Sequence, residues 1–97
     1  MPTPNKTTPV FDETTLPAAL RREHRTKAGV WGVIRVLEGE LRLFLDDGND
    51  AGTILTPDRP GVVQPQQSHH VEPLGRMRMR VEFHDCTPEG FRPAPSP

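Results

Sequence analysis

Four histidines are the side chains of this sequence best suited to chemistry near neutral pH, where an imidazole can bind a metal or move a proton. They stand at positions 24, 69, 70 and 84. Since successive side chains of a strand point to opposite faces, we expect at most one of His69 and His70 to face a shared pocket. The spacings HxH and HExxH do not occur. Taken alone, each histidine is therefore more typical of a solvated or core-edge residue than of a ligand.

A run of alternating residues near the C-terminus adds charged groups to these histidines. Residues 76–84 alternate apolar and polar side chains, which is typical of a half-buried strand. Glu82 lies on the polar face, where it could pair with Arg78 or Arg80. The arginines of this face, with Arg76, could also attract an oxyanion. On an edge strand such arginines more often prevent aggregation, and we favour that interpretation.

Short strands are the elements that must position these groups. Val30–Leu37 and Leu41–Leu45 flank a glycine-centred turn and predict a hairpin. Helix is limited to a short candidate over 18–25 that follows a proline. Further strands are predicted at 52–56, 61–64, 69–72 and 76–84, and their spacing indicates a small all-β sandwich or barrel.

Length and composition restrict the function classes. The 97 residues allow one domain, which we divide into an N-terminal arm (1–10), a folded part (11–86) and a C-terminal tail (87–97). Twelve basic against thirteen acidic residues give a net charge of -1, which predicts no general attraction to nucleic acid or membranes. The single cysteine, Cys86, cannot form an internal disulfide, and we expect an inert thiol. Without a signal peptide or an 18-residue apolar run, the sequence predicts a cytoplasmic protein.

The surroundings of His69 resemble a known motif. Gly61–Pro73, with the sequence GVVQPQQSHHVEP, resembles the second motif of the cupins, in which a histidine follows a proline-containing turn. Val36–Leu41 is similar to the hairpin in the middle of cupin barrels. Together with RREHRTKAGVWG at 21–32 and VEF at 81–83, these segments resemble the TehB/YeaR-like tellurite-resistance domains of the cupin superfamily. The resemblance covers residues 9–84.

This resemblance implies a small jelly-roll barrel, or double-stranded β-helix, with a divalent metal site. Carried over residue by residue, it makes His24, His69 and Glu82 the metal ligands, with Glu72 as a weaker candidate. Two imidazoles and one carboxylate suit zinc, iron, manganese or nickel, and the residues do not distinguish between them. The sequence lacks the His-x-His pair of the first cupin motif.

The function implied by the resemblance is that of a metal-binding cupin-like protein that binds a small ligand, for which an anion is one option, in a response to tellurite or related stress. Two alternatives stay open: a metal-dependent enzyme of dioxygenase or isomerase type, and a metal-free structural or partner-binding cupin. The expected partners are a small-molecule or oxyanion ligand and a second copy in a homodimer. The sequence contains no S-adenosylmethionine motif, so we expect the methyltransferase that accompanies some TehB-type proteins to be absent from this chain.

Overall fold

The protein is described by a computed structural model that covers residues 6–22, 24–46 and 51–85. Almost all of its regular structure is β, as the sequence predicts. A short 3-10 helix, Ala18–Arg21, is the helical element of these residues. The eight strands are β1 (Lys6–Thr7), β2 (Phe11–Asp12), β3 (Trp31–Glu38), β4 (Leu41–Leu45), β5 (Thr53–Leu55), β6 (Gly61–Val63), β7 (His69–Pro73) and β8 (Arg78–His84).

The strands form two antiparallel sheets. Sheet A has the order β1-β8-β3-β6, and β2 also pairs with β8. Sheet B has the order β5-β4-β7. Among the described residues the two sheets do not join into a closed barrel, so the prediction of a closed jelly-roll barrel is not confirmed, whereas the all-β class is.

The predicted hairpin is wrong in its pairing, although both of its strands exist. β3 pairs with β6 and β8, whereas β4 pairs with β5 and β7. The turn after β3 therefore carries the chain from one sheet to the other. Gly39 makes this corner possible, since it has a φ of 74° and a Cβ built there would clash with the carbonyl oxygen of Arg76.

The core lies between the sheets. Alternation in β8 directs Met79 and Val81 inward, and Ile34 and Val36 of β3 lie beside them. Met77 and Met79 are fully buried, as the sequence predicts. The other buried core residues are Leu16, Leu41, Leu43, Leu55, Val63 and Val71.

The arginine-rich strand is not an edge strand, which corrects the interpretation of its charges. β8 pairs with β1 and β2 on one side and with β3 on the other. Arg78 pairs with Glu38 of the neighbouring β3, whereas Arg80 pairs with Glu82 within β8 itself. Arg76 precedes the strand and is exposed.

Candidate functional site

His24 and His69 come together although 44 positions separate them in the chain. Their backbones form an antiparallel bridge, in which each amide donates to the other carbonyl at 2.8 and 2.9 Å. Their rings lie edge to face, with centroids 5.5 Å apart. The bridge adds residue 24 to the side of β7 that β4 does not occupy. The His69 side chain is buried, and the His24 side chain beside it is half-buried.

A small internal cavity lies beside this histidine pair. Its volume is about 20 Å³, the space of a single water molecule. Both imidazoles line it, together with apolar side chains that include Ile34, Val71 and Met79. His70 points to the opposite face of sheet B and stacks on Phe44 at 4.5 Å, which confirms that the two adjacent histidines face opposite sides.

The environment of His69 favours its neutral form. Burial lowers the pKa of His69 and outweighs the opposing effect of the backbone carbonyl of Gln67. The ring atom Nδ1 lies 3.1 Å from that carbonyl oxygen, so Nδ1 carries the proton and donates it. Since the proton is on Nδ1, Nε2 keeps an unprotonated lone pair.

Glu82 belongs to a separate cluster. Its cross-strand partner is Val33, and alternation directs it to the face of sheet A that points away from sheet B. Its Oε2 accepts hydrogen bonds from Arg35 Nε at 2.8 Å and from Arg80 Nη2 at 3.3 Å. Burial raises the pKa of Glu82, but the hydrogen bond and charge of Arg35 and the hydrogen bonds of Arg80 and His84 outweigh it, so the pKa is below its usual value.

The three predicted metal ligands are thus not all brought together. His24 and His69 are neighbours, while the Glu82 carboxylate is held by two arginines on the other face of its sheet. Glu72 is exposed on β7, opposite Arg42. In the ranges 6–22, 24–46 and 51–85, no three His, Cys, Asp or Glu side chains converge as ligands of one metal ion. Cys86 lies outside the described residues.

A larger groove opens next to the histidine pair, and the sequence did not predict it. Its volume is about 410 Å³. His24, Thr26 and Phe83 line both the groove and the internal cavity, so the two are adjacent. The remaining lining residues are Lys6, Arg25, Lys27, Val30, His84 and Asp85. The basic run at 21–27 was the signal in the sequence, but its nearness to β1 and to the end of β8 depends on the fold.

Two antiparallel sheets with an apolar layer between them and an open groove define a small β-domain. The model of the TehB-like domain family matches residues 6–81, and the chain belongs to this family.

A curated relative from Haemophilus influenzae (strain ATCC 51907 / DSM 11121 / KW20 / Rd) is 38% identical over 73 residues, which cover 71% of this chain. It is named "Probable S-adenosyl-L-methionine-dependent methyltransferase TehB". A second relative, from Haemophilus influenzae strain 10810, has the same name and is 37% identical. The chain spans about a quarter of these relatives, 26% of their length.

Solved structures share the fold. TehB from Haemophilus influenzae superposes with a TM-score of 0.74 and 32% identity, over 84% of this chain and 30% of that one. A structural-genomics protein from Escherichia coli strain K12 superposes with a TM-score of 0.71 over 84% of this chain and 87% of that one. At 20% identity, this second similarity shows the fold alone.

These relatives correct two predictions. The assignment as a metal-binding cupin-like protein is wrong, because the relatives are named methyltransferases, and neither alternative made from the sequence fits them better. The divalent metal cofactor is also wrong, because the name of the relatives specifies S-adenosylmethionine and the described residues hold no cluster of metal ligands. The TehB-like part of the resemblance is confirmed, whereas membership of the cupin superfamily is not.

The part of the chain that the structure describes contains no helix long and apolar enough to cross a membrane. The cytoplasmic location stays a prediction.

Proposed function

We propose that this chain is a small-molecule-binding module that serves S-adenosylmethionine-dependent methyl transfer. Its relatives carry the name of that reaction, and the chain matches about a quarter of their length. In this proposal, the module holds the methyl acceptor, while binding of S-adenosylmethionine and transfer of the methyl group are carried out by a methyltransferase part that it accompanies.

The observation that carries the proposal is the groove of about 410 Å³ beside the His24–His69 bridge. Ligand sites are generally concave, with apolar walls and a few placed polar groups. Phe83 and Val30 supply apolar wall, and Thr26 supplies a buried side chain. The internal cavity has room for about one water molecule and is too small for a methyl acceptor.

We also propose that the two sheets are an open form of the jelly roll that the sequence resembles. Between β3 and β8 the chain changes sheet at four of its five connections, and only β4 to β5 stays within one sheet. Frequent crossing between two facing sheets is typical of the jelly-roll class. This topology supports the proposal without requiring a metal.

The experiment that tests the proposed function uses a chimera. Residues 6–85, which keep the whole of β8 and the groove residues Phe83, His84 and Asp85, replace the corresponding segment of Haemophilus influenzae TehB. Release of S-adenosylhomocysteine is measured with tellurite as the probe acceptor. We expect the chimera to retain turnover. Val30→Trp, which fills the groove with an uncharged side chain, is expected to raise KM for tellurite severalfold with little change in kcat.

Leu37→Trp is the matched control, because Leu37 is 39% exposed and does not line the groove. It should leave KM unchanged. An unchanged KM in the Val30→Trp chimera, with its folded state verified by circular dichroism, would refute the assignment of the groove as an acceptor site.

A further inference from the structure

Thr26 lies where the groove, the internal cavity and the loop of residues 64–68 meet. Its side chain is buried and lines both the groove and the cavity. The methyl carbon Cγ2 faces β3, at 3.8 Å from the position that a Cβ would take at Gly32. The hydroxyl group faces the loop, because Oγ1 accepts a hydrogen bond from the Gln66 amide at 3.1 Å. The carbonyl oxygen of Gln64 lies 3.4 Å from the same Oγ1, which is a longer and weaker contact.

The loop that Thr26 contacts has an unusual backbone. Gln66 has a φ of 61°, in the left-handed region that residues other than glycine rarely adopt. Gln66 is exposed, so burial of its side chain does not account for this conformation. The Gln67 amide donates to the Gln64 carbonyl at 3.1 Å, and Gln67 Oε1 accepts from the Gln64 amide at 3.0 Å. A strained residue persists only where surrounding contacts fix it, and the Thr26 hydroxyl group is one of these contacts.

The same loop is joined to the histidine pair. His69 Nδ1 donates to the Gln67 carbonyl at 3.1 Å, and the His69 backbone forms the bridge to His24. Residues 24–26 and 66–69 are thus connected at two points, the backbone bridge at one end and the hydrogen bond of Thr26 at the other. His24 and Thr26 both line the groove, so both connections lie in its wall.

We propose that Thr26 is a positioning residue of the groove, whose hydroxyl group holds the Gln66 amide and thereby fixes the wall formed by residues 24–30. The inference rests on the proposed function in taking the groove as the acceptor site, and it adds the residue that keeps this site in its binding shape. A preorganised site loses less conformational freedom when a ligand binds. Loss of the hydroxyl group should therefore raise KM.

The first test measures the hydrogen bond in the full chain of 97 residues. Amide hydrogen exchange of the ¹⁵N-labelled wild type is followed by NMR. We expect the protection factor of the Gln66 amide to exceed that of Asp58 by about tenfold or more. Asp58 is the reference because it is also exposed, in the turn between β5 and β6. An unprotected Gln66 amide would overturn the inference without the use of any variant.

The second test removes the hydroxyl group in the same chain. Thr26→Val keeps the shape of the side chain, and we expect it to remove the protection of the Gln66 amide. It should also accelerate exchange of the Val30 amide, which donates to the Lys27 carbonyl at 3.0 Å within the groove wall, by about threefold or more. Thr26→Ser keeps the hydroxyl group and should preserve both. Unchanged exchange of the Val30 amide in Thr26→Val would contradict the positioning of the wall.

The third test measures the consequence for acceptor binding in the chimera with Haemophilus influenzae TehB. Thr26→Val is expected to raise KM for tellurite about threefold or more with little change in kcat. Thr26→Ser should keep KM close to that of the unsubstituted chimera. Thr53→Val, the same substitution on β5 and outside the groove, is the control and should leave KM unchanged. An equal rise in Thr26→Val and Thr26→Ser would assign the effect to the methyl group and overturn the role of the hydroxyl group.

The two proposals can fail separately. If Val30→Trp raises KM and Thr26→Val does not, the groove is an acceptor site and the positioning role of Thr26 is overturned. If Val30→Trp leaves KM unchanged, the acceptor site is refuted. Faster exchange of the Val30 amide in Thr26→Val, but not in Thr26→Ser, would then still support Thr26 as the residue that positions the groove wall.

Discussion

At the scale of single residues, the carboxylate of Glu82 has a structural role in this fold. It is 7% exposed and joins β8 to β3 through Arg35, its first partner, and to Arg80 within β8. The sequence-based alternative of an ion pair with Arg80 is therefore what the structure shows. Removal of this charge would leave two guanidinium groups without their acceptor.

We predict that Glu82→Gln lowers the free energy of unfolding by about 1–2 kcal/mol at pH 7. The loss is smaller than for a fully buried ion pair because Arg35 and Arg80 are partly exposed and solvent screens their charges. Urea denaturation followed by circular dichroism measures it. Glu72→Gln, at an exposed position of β7, is the control and should change the stability by less than about 0.5 kcal/mol. Equal stability of the two variants would contradict this role of Glu82.

The lowered pKa of the Glu82 carboxylate predicts how the stability of the fold decreases in acid. The pKa of Glu82 is lowered in the folded state from 4.5, so its contribution is complete above pH 4.5 and is lost as the pH falls through the lower folded value. Hydrogen bonds from Thr14 and Thr15 lower the pKa of Asp12 from 3.8 to about 2, which adds to the loss in the same direction. We expect the stability difference between wild type and Glu82→Gln to shrink below pH 4.5, as urea denaturation at several pH values would measure.

The lowered pKa of His69 predicts a second loss of stability, at a higher pH than that of Glu82. Burial lowers its pKa from 6.5, so the unfolded chain binds a proton more readily than the folded one. Stability should therefore fall as the pH decreases from 6.5 toward the folded value, by at most about 1.4 kcal/mol per pH unit. His69→Gln should flatten this dependence between pH 7.5 and 5, whereas His70→Gln, on the other face of sheet B, should preserve it.

At the scale of elements, the turn between β3 and β4 decides which sheet each strand joins. Gly39 combines a φ of 74° with a close approach to the backbone of Arg76. A side chain at this position would therefore be strained in its backbone conformation and would also clash with Arg76. Gly29 has a similar φ of 78°, but nothing lies within 4 Å of a Cβ at that position. The two glycines therefore separate the cost of backbone conformation from the cost of a steric clash.

We predict that Gly29→Ala costs about 1 kcal/mol, the penalty for a left-handed conformation alone. Gly39→Ala should cost clearly more, about 3 kcal/mol or above, because the Arg76 carbonyl must move. Thermal and urea denaturation of both variants measure the difference. Similar losses in the two variants would show that the corner relaxes and that the close approach is not important.

At the scale of the whole molecule, stability comes from one apolar layer between the two sheets. Leu41 lies at the centre of this layer with no exposed surface, whereas Leu37, four residues earlier, is 39% exposed. Because both residues are leucines, the same substitution at the two positions compares a core site with a surface site.

We expect Leu41→Ala to lower the free energy of unfolding by about 2–5 kcal/mol, since it leaves a cavity in the core. Leu37→Ala should change it by about 0.5 kcal/mol or less. Urea denaturation provides both values. A large loss for Leu37→Ala would indicate that this leucine is covered by a further surface, such as a second copy of the chain.

Several features could be predicted from the sequence because they depend on local chemistry. Alternation over 76–84 identified β8 and its buried methionines, and the proline-containing turn before His69 identified the start of β7. The same alternation placed Glu82 on the polar face. The motifs also identified the TehB-like family, which the match over residues 6–81 confirms. The inference from family to metal chemistry failed, because a resemblance in strands and turns does not specify the ligands.

The sequence by itself determined the approximate positions of β3 to β8, which side chains of these strands share a face, and the family, whereas it did not predict β1 and β2. Only the tertiary structure decided that β3 and β4 belong to different sheets, that β8 is a central strand, and that His24 lies beside His69. It also decided that Lys6, Arg25 and Lys27 surround one groove. The physical reason is that period-two alternation is a property of neighbouring residues, whereas strand pairing depends on competition among distant segments for the same hydrogen-bonding groups and the same core.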